Sequence, residues 1–164
     1  MGSTARLALP LLSAGQAQKE IYHNEALQLL DMLAAAAVEE LPLATPPANP
    51  AIGACYIVAD AATGPWATKD HCLACFTGGG WRFVEPSDGL AAFVRSEGLW
   101  GAYIGGWEFG SVRAVSVVVG GQQVVGSRAS AIASPAGGTT IDSEARTAIG
   151  QILSALRSHG LIDT

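Results

Sequence analysis

GACYIVADAATGPWATKDHCLACFTGGGWRFVEP, residues 53–86, is the stretch that decides the fold. It contains three short apolar runs, CYIVAD, CLACF and WRFVEP, kept apart by clusters that carry Gly, Pro or Asp. Runs this short, bounded by chain breakers, read as β-strands, because a buried helix needs a longer periodic pattern. Between CLACF and WRFVEP stand Gly78, Gly79 and Gly80. Glycines there supply the positive φ angles that a tight hairpin turn demands. The signature continues through LAAFVRS, LWGAYI and WEF as far as Phe109. A Gly shortly before a Trp recurs at Trp66, Trp81, Trp100 and Trp107, a weak repetition of hairpins. Breakers at intervals of roughly ten residues predict an antiparallel meander. VRAVSVVVGGQQVVGSRA, residues 112–129, adds two more strands around Gly120 and Gly121.

Working outward toward the N-terminus, RLALPLLS (6–13) reads as an extended apolar arm in which Pro10 suits an edge. Ser13 and Gln16 have capping-box spacing, and Asn24 is a second candidate cap. From Glu25, Leu27, Leu30, Ala34, Ala37, Val38 and Leu41 follow helical spacing, so a helix is expected to run to about Leu41. Pro42, Pro46, Pro47 and Pro50 then make a stiff connector.

Toward the C-terminus, SPAGG (134–138) reads as a linker to TTIDSEARTAIGQILSALRSHGLIDT. Thr140 or Asp142 can cap a helix there, Glu144 complements its dipole, and Gly160 stops it. Ala145, Ile149, Ile152, Leu156 and His159 step by 4, 3, 4, 3, which is a coiled-coil seam. Such a helix either folds back on its own domain or bundles with copies of itself. Isoleucine at both seam positions near the middle favours more than two strands, hence a trimer. The expected class is α+β: mainly an antiparallel β meander or sandwich with an N-terminal helix and a C-terminal oligomerisation helix. The expected segments are 1–50 (arm, helix, connector), 51–134 (β domain) and 135–164 (linker and oligomerisation helix).

Composition narrows the function. Charged residues make up 14% of the 164 residues and the net charge is −5. An average soluble protein carries roughly 25% charged residues. Burying surface in an assembly reconciles so sparse a charge with solubility. The basic residues are scattered, which argues against direct nucleic-acid binding. No apolar run is long enough to insert in a membrane. MGSTARLALPLLSAG is too short and too interrupted by Pro10 for a signal peptide. Cys55, Cys72 and Cys75 leave one thiol over in any pairing, so they read as reduced, buried small hydrophobes.

Several residues are candidates for chemistry. AGQAQKEIYHNEAL (14–27) packs polar groups into an otherwise apolar chain. His23 with Glu20 or Glu25 could form an acid–base pair, but no nucleophile accompanies it. The better reading is a structural clasp in which Gln16, Gln18, His23 and Asn24 bond to backbone. Cys72 and Cys75 form a C-x-x-C, yet structural zinc wants a second pair, and strand residues three apart face opposite ways. Glu85, Asp88, Glu97 and Glu108 lie at strand ends, where two of them could flank a glycosidic bond. Trp66, Trp100, Tyr103 and Trp107 could stack on sugar rings, with Arg82, Arg95 and Glu108 holding hydroxyls; the alternative is that these rings fill the β core. Trp81 alternates with Arg82 and reads as buried. No cofactor motif is present, and neither an enzyme nor a metal centre is expected.

LALPLLSAGQAQKEIYHNEALQLLD, PPANPAIGACYIV and GGWRFVEPSDGLAAFVRSEG, with the ending GGTTIDSEARTAIGQILSALRSHGLI, resemble an uncharacterised family of phage-like tail and spike proteins, including head-spike components of gene transfer agents. Cys72 and Cys75 depart from it, standing where Ile, Ala or Val is expected. The resemblance implies a virion structural protein: a spike, tail fibre or adaptor. It further implies a homo-oligomer with capsid, spike or tail partners, cell attachment through surface polysaccharide, and a pentamer should the part sit at a capsid vertex. Such a part would be assembled in the cytoplasm and released within a particle. A glycan-binding module recognising capsular polysaccharide and a polysaccharide hydrolase are the alternatives.

Overall fold

The computed structural model describes residues 2–13, 15, 19–140 and 142–163. The fold is α+β with antiparallel-rich sheets. The chain divides into two compact units, Met1–Ser111 and Val112–Thr164. The boundary thus falls after Ser111, and the last hairpin goes with the C-terminal helix, whereas the sequence reading grouped it with the β domain.

In the first unit, helix α1 (Lys19–Leu33) precedes a short strand β1 (Ala37–Val38). A three-stranded sheet has the order β2 (Cys55–Ile57), β3 (Leu73–Thr77), β4 (Gly80–Val84). A four-stranded sheet has the order β1, β5 (Ala91–Val94), β6 (Leu99–Tyr103), β7 (Trp107–Phe109). All pairings in the two sheets are antiparallel except β1 with β5, where Ala37 faces Phe93. The hairpins fall where the glycines predict them. Gly80 has φ +93° and Gly98 +67°, in the left-handed region that glycine enters without steric cost. Gly101 is required for a different reason: a Cβ there would lie 2.5 Å from the Phe109 ring.

Strands β2 and β3 are buried on both faces, which explains why CYIVAD and CLACF are almost continuously apolar rather than alternating, while β4 is half-buried. Cys55, Ile57, Leu73 and Cys75 point to one face, against Met32 of α1, Val38 of β1, and Ala92 and Val94 of β5. Tyr56, Ala74 and Cys72 point to the other, under Trp66, which sits in a short 3-10 turn (Gly64–Trp66), with Trp81 and Phe83 packed at the side. Cys72 and Cys75 therefore face opposite ways, as their spacing dictates.

The helix expected to reach Leu41 ends at Leu33. Ala35 adopts φ +51°, and beyond it Ala36 and Val38 are buried in the core as extended chain. Tertiary burial overrides the helix propensity of the alanine run. Asn24 lies inside α1 and is not a cap.

The second unit contains a hairpin of β8 (Val117–Val119) and β9 (Gln122–Val125) and helix α2 (Ser143–Ser158). Gly120 and Gly121, at φ +57° and +80°, form the tight turn between the strands. The Asp142 carboxylate accepts from the Ala145 N–H at 2.8 Å and caps α2. Parallel pairing of Ala129 with Ile162 holds the chain after the helix.

Candidate functional site

Two features stand out: a polar clasp at the N-terminus of the first unit, and an apolar surface on the second. The clasp centres on Asp31, in the last turn of α1 and fully buried. A carboxylate there opposes the helix dipole and needs strong donors. The arm supplies them. Thr4 Oγ1 donates to Asp31 Oδ1 at 2.8 Å, the Leu7 N–H to the same oxygen at 2.6 Å, and the Arg6 N–H to Oδ2 at 2.9 Å. The Arg6 guanidinium then donates to the carbonyl oxygens of Asp31, Met32 and Ala35, capping the end of the helix. One helical turn is thus tied to the arm through both its side chain and its backbone.

Asn24 makes the second tie, accepting from the Leu12 N–H at 2.9 Å and donating to the Leu12 carbonyl at 3.0 Å. Of the four residues expected to form a clasp, Asn24 does so. His23 is exposed. Gln16 and Gln18 lie outside the described residues. The sequence reading missed Thr4, Arg6 and Asp31. Asp31 carried a signal: it stands four residues after Leu27 on the apolar stripe, where an acid demands a partner.

The aromatic candidates separate. Trp66 is fully buried, and its ring lies 5.0 Å from Trp81 and 5.9 Å from Tyr56. It cannot contact a glycan, and that expectation is corrected: the loop folds it under the sheet because its apolar area is worth more buried than exposed. Trp107 is half-buried and donates its indole N–H to the His71 carbonyl at 2.8 Å. It lines a cleft of about 310 Å³ with His71, whose imidazole lies 3.1 Å from the Asp60 carboxylate. Tyr103 packs edge-on against Trp107. Trp100 is 60% exposed, resting on Phe93. A larger open cleft of about 620 Å³ lies between the arm and the sheet, with Arg6, Arg95, Glu39 and Tyr56 on its walls. Glu85 and Glu97 line neither cleft. Arg82 pairs with Glu25 of α1 at 3.0 Å.

The apolar surface belongs to the second unit. Among its described residues, Leu153 and Ile162 are the buried hydrophobics. Every valine between positions 112 and 125 is exposed. On α2 the face turned to its own unit carries Arg146, Gly150, Leu153 and Arg157. Leu153 is 4% exposed, and Arg146 and Arg157 donate to the carbonyls of Gly137 and Ile132. The expected seam is displaced from that face by one residue, or about 100°. Ile149 is 43% and Ile152 58% exposed, Ala145 and His159 are exposed, and Leu156 is half-buried between the two faces. Glu144, in the first turn, has its carboxyl held below the usual carboxylate range by its backbone N–H and the Ser143 hydroxyl.

Among the described residues no helix is long and apolar enough to cross a membrane. Neither the curated proteins nor the solved structures yield a match to this chain. Residues 23–108, from the clasp helix through the last strand of the four-stranded sheet, match the family described as "Protein of unknown function (DUF2793)". That match takes in more than half of the chain, and the chain belongs to this family.

Proposed function

We propose that the chain is a homo-oligomeric structural component, a spike, fibre or adaptor, of a phage-like particle or gene transfer agent, with a role in cell attachment. The observation that carries the oligomeric part is the second unit's unpartnered apolar surface. A lone two-stranded hairpin is marginal in water, and so is an isolated helix of the length of α2. Here both occur in a unit whose described buried hydrophobics are Leu153 and Ile162. Ile149 and Ile152 project from a face that the unit itself does not use. A second and third copy of the same helix, aligned along the heptad, would cover that face. The placement in a particle is supported by the resemblance of the arm, hairpin and tail motifs.

The test is the mass of the full chain in solution at micromolar concentration, beside the double variant Ile149→Glu, Ile152→Glu. The wild type is expected as an oligomer, trimer first and pentamer second. The variant should fall to monomer with its far-ultraviolet spectrum unchanged. A monomeric wild type, or a variant with the parent's mass, overturns the reading. Proteomic identification of the chain in purified particles tests its placement, and its absence from them sinks that half of the proposal.

A second reading, glycan contact, is favoured by the exposed indole of Trp100, which rests on Phe93. Trp100→Ala should then weaken binding to capsular polysaccharide while leaving oligomerisation intact.

A further inference from the structure

The two cysteines that the sequence sets beside each other, Cys72 and Cys75, are parted by the sheet, and the one far away in sequence is brought in. Cys55 on β2 stands directly opposite Cys75 on β3. The backbone hydrogen bonds fix the kind of pair. Phe76 N–H donates to the Ala54 carbonyl, and Val58 N–H to the Cys72 carbonyl. These rungs are four residues apart along β2, and Tyr56 with Ala74 is the rung between them. Cys55 and Cys75 therefore occupy a non-hydrogen-bonded site, where side chains approach most closely and Cα atoms stand roughly 4.5 Å apart. That separation lies within the ~4.4–6.8 Å that a disulfide spans. Both side chains point to the same buried face, whereas Cys72 points to the opposite one.

We propose that Cys55 and Cys75 are a covalent modification site: a thiol pair that closes to an intrachain cross-strand disulfide when it meets a low-molecular-weight disulfide such as oxidised glutathione. The Cys75 thiolate attacks one sulfur of the reagent, which releases one glutathione thiolate. The Cys55 thiolate then attacks the Cys75 sulfur of the mixed disulfide and releases the second. The two cysteines are oxidised, the reagent's S–S bond is reduced, and the two protons pass to the glutathione thiols. The thiols already interact: their shared hydrogen bond, then burial, push Cys55 up, and the same bond holds Cys75 down. The Arg6 guanidinium of the clasp favours the thiolate at both. The bond would close the loop that carries Trp66 and staple β2 to β3.

The full chain is incubated with oxidised glutathione, with and without urea below the unfolding midpoint, then denatured, alkylated and mapped by mass spectrometry. The expected product has lost the mass of two hydrogen atoms. It carries the alkyl group on Cys72 alone, yields a linked Cys55–Cys75 peptide, and melts several degrees higher, as closing a loop of roughly twenty residues implies. Cys72→Ser should oxidise in the same way, and Cys55→Ala should not. Alkylation of all three thiols under both conditions, or a linkage through Cys72, overturns the proposal.

Discussion

Replacing Asp31 by Ala tests the clasp most directly. The carboxylate is buried and receives three donors, the Thr4 hydroxyl and the N–H groups of Arg6 and Leu7. Each hydrogen bond to a charged acceptor is worth about 1.5–3 kcal/mol, and each buried donor left without an acceptor costs about 1–3 kcal/mol. The three bonds share one carboxylate, so their losses are not additive. A destabilisation of about 3–5 kcal/mol results, the range for removing one partner of a buried charged site. Against a total stability of about 5–15 kcal/mol, that is a large share. At about 2–4 °C per kcal/mol for a chain of this length, the midpoint should fall by about 6–20 °C. Thr4→Val removes one of the three bonds, and the acceptor of the Leu9 N–H with it, and should cost about 1.5–3 kcal/mol. In the Asp31→Ala background it should cost much less, and that coupling is the signature of direct contact. Circular dichroism melts of the four proteins provide the assay. If Asp31→Ala stays within about 1 kcal/mol of the parent, the clasp does not hold the arm, and the reasoning fails.

Other substitutions probe the remaining features. Trp66→Ala should cost about 3–5 kcal/mol, whereas Trp100→Ala should leave the midpoint nearly unchanged; equal effects would contradict their opposite exposures. Gly101→Ala forces a methyl against the Phe109 ring and should cost about 1–3 kcal/mol in a chemical denaturation series. Asn24→Ala frees the Leu12 backbone, so hydrogen exchange at the Leu12 amide should accelerate by at least tenfold, about 1.4 kcal/mol. Glu144 has a folded pKa below its ordinary 4.5. Its stabilisation of α2 is therefore present above pH 4.5 and is lost as the pH falls through the lower folded value. Glu144→Gln should remove that part of the acid-induced loss of helical signal, and an unchanged acid profile would count against it.

Much of the fold could be read from residue order, and the exceptions have physical causes. The hairpins were legible because the turns at Gly80, Gly98 and Gly120–Gly121 require positive φ, a demand stated locally. Helix α2 was legible for the same reason, since Asp142, Glu144 and Gly160 each mark an end. The end of α1 was not, because a run of alanines is helical by propensity and only the burial of Ala36 and Val38 against β5 turns it into strand. For Trp66 residue order left two readings open, a glycan contact or a core ring; its burial depends on the loop folding back under the sheet. Asn24 was identified for its bonding capacity, but its partner Leu12 could not be. Asp31 and Arg6 become a pair only once the arm reverses direction, and nothing in their separation announces that.

The clasp also bears on the order in which the chain acquires structure. Thr4, Arg6 and Leu7 find their acceptor within about thirty residues, while β1 must wait for β5, more than fifty residues further on. On the ribosome the arm and helix α1 have emerged well before that partner strand exists. The contacts between the arm and the helix would then be available before the pairing of β1 with β5, with the buried side of the helix held ready for the sheets to arrive.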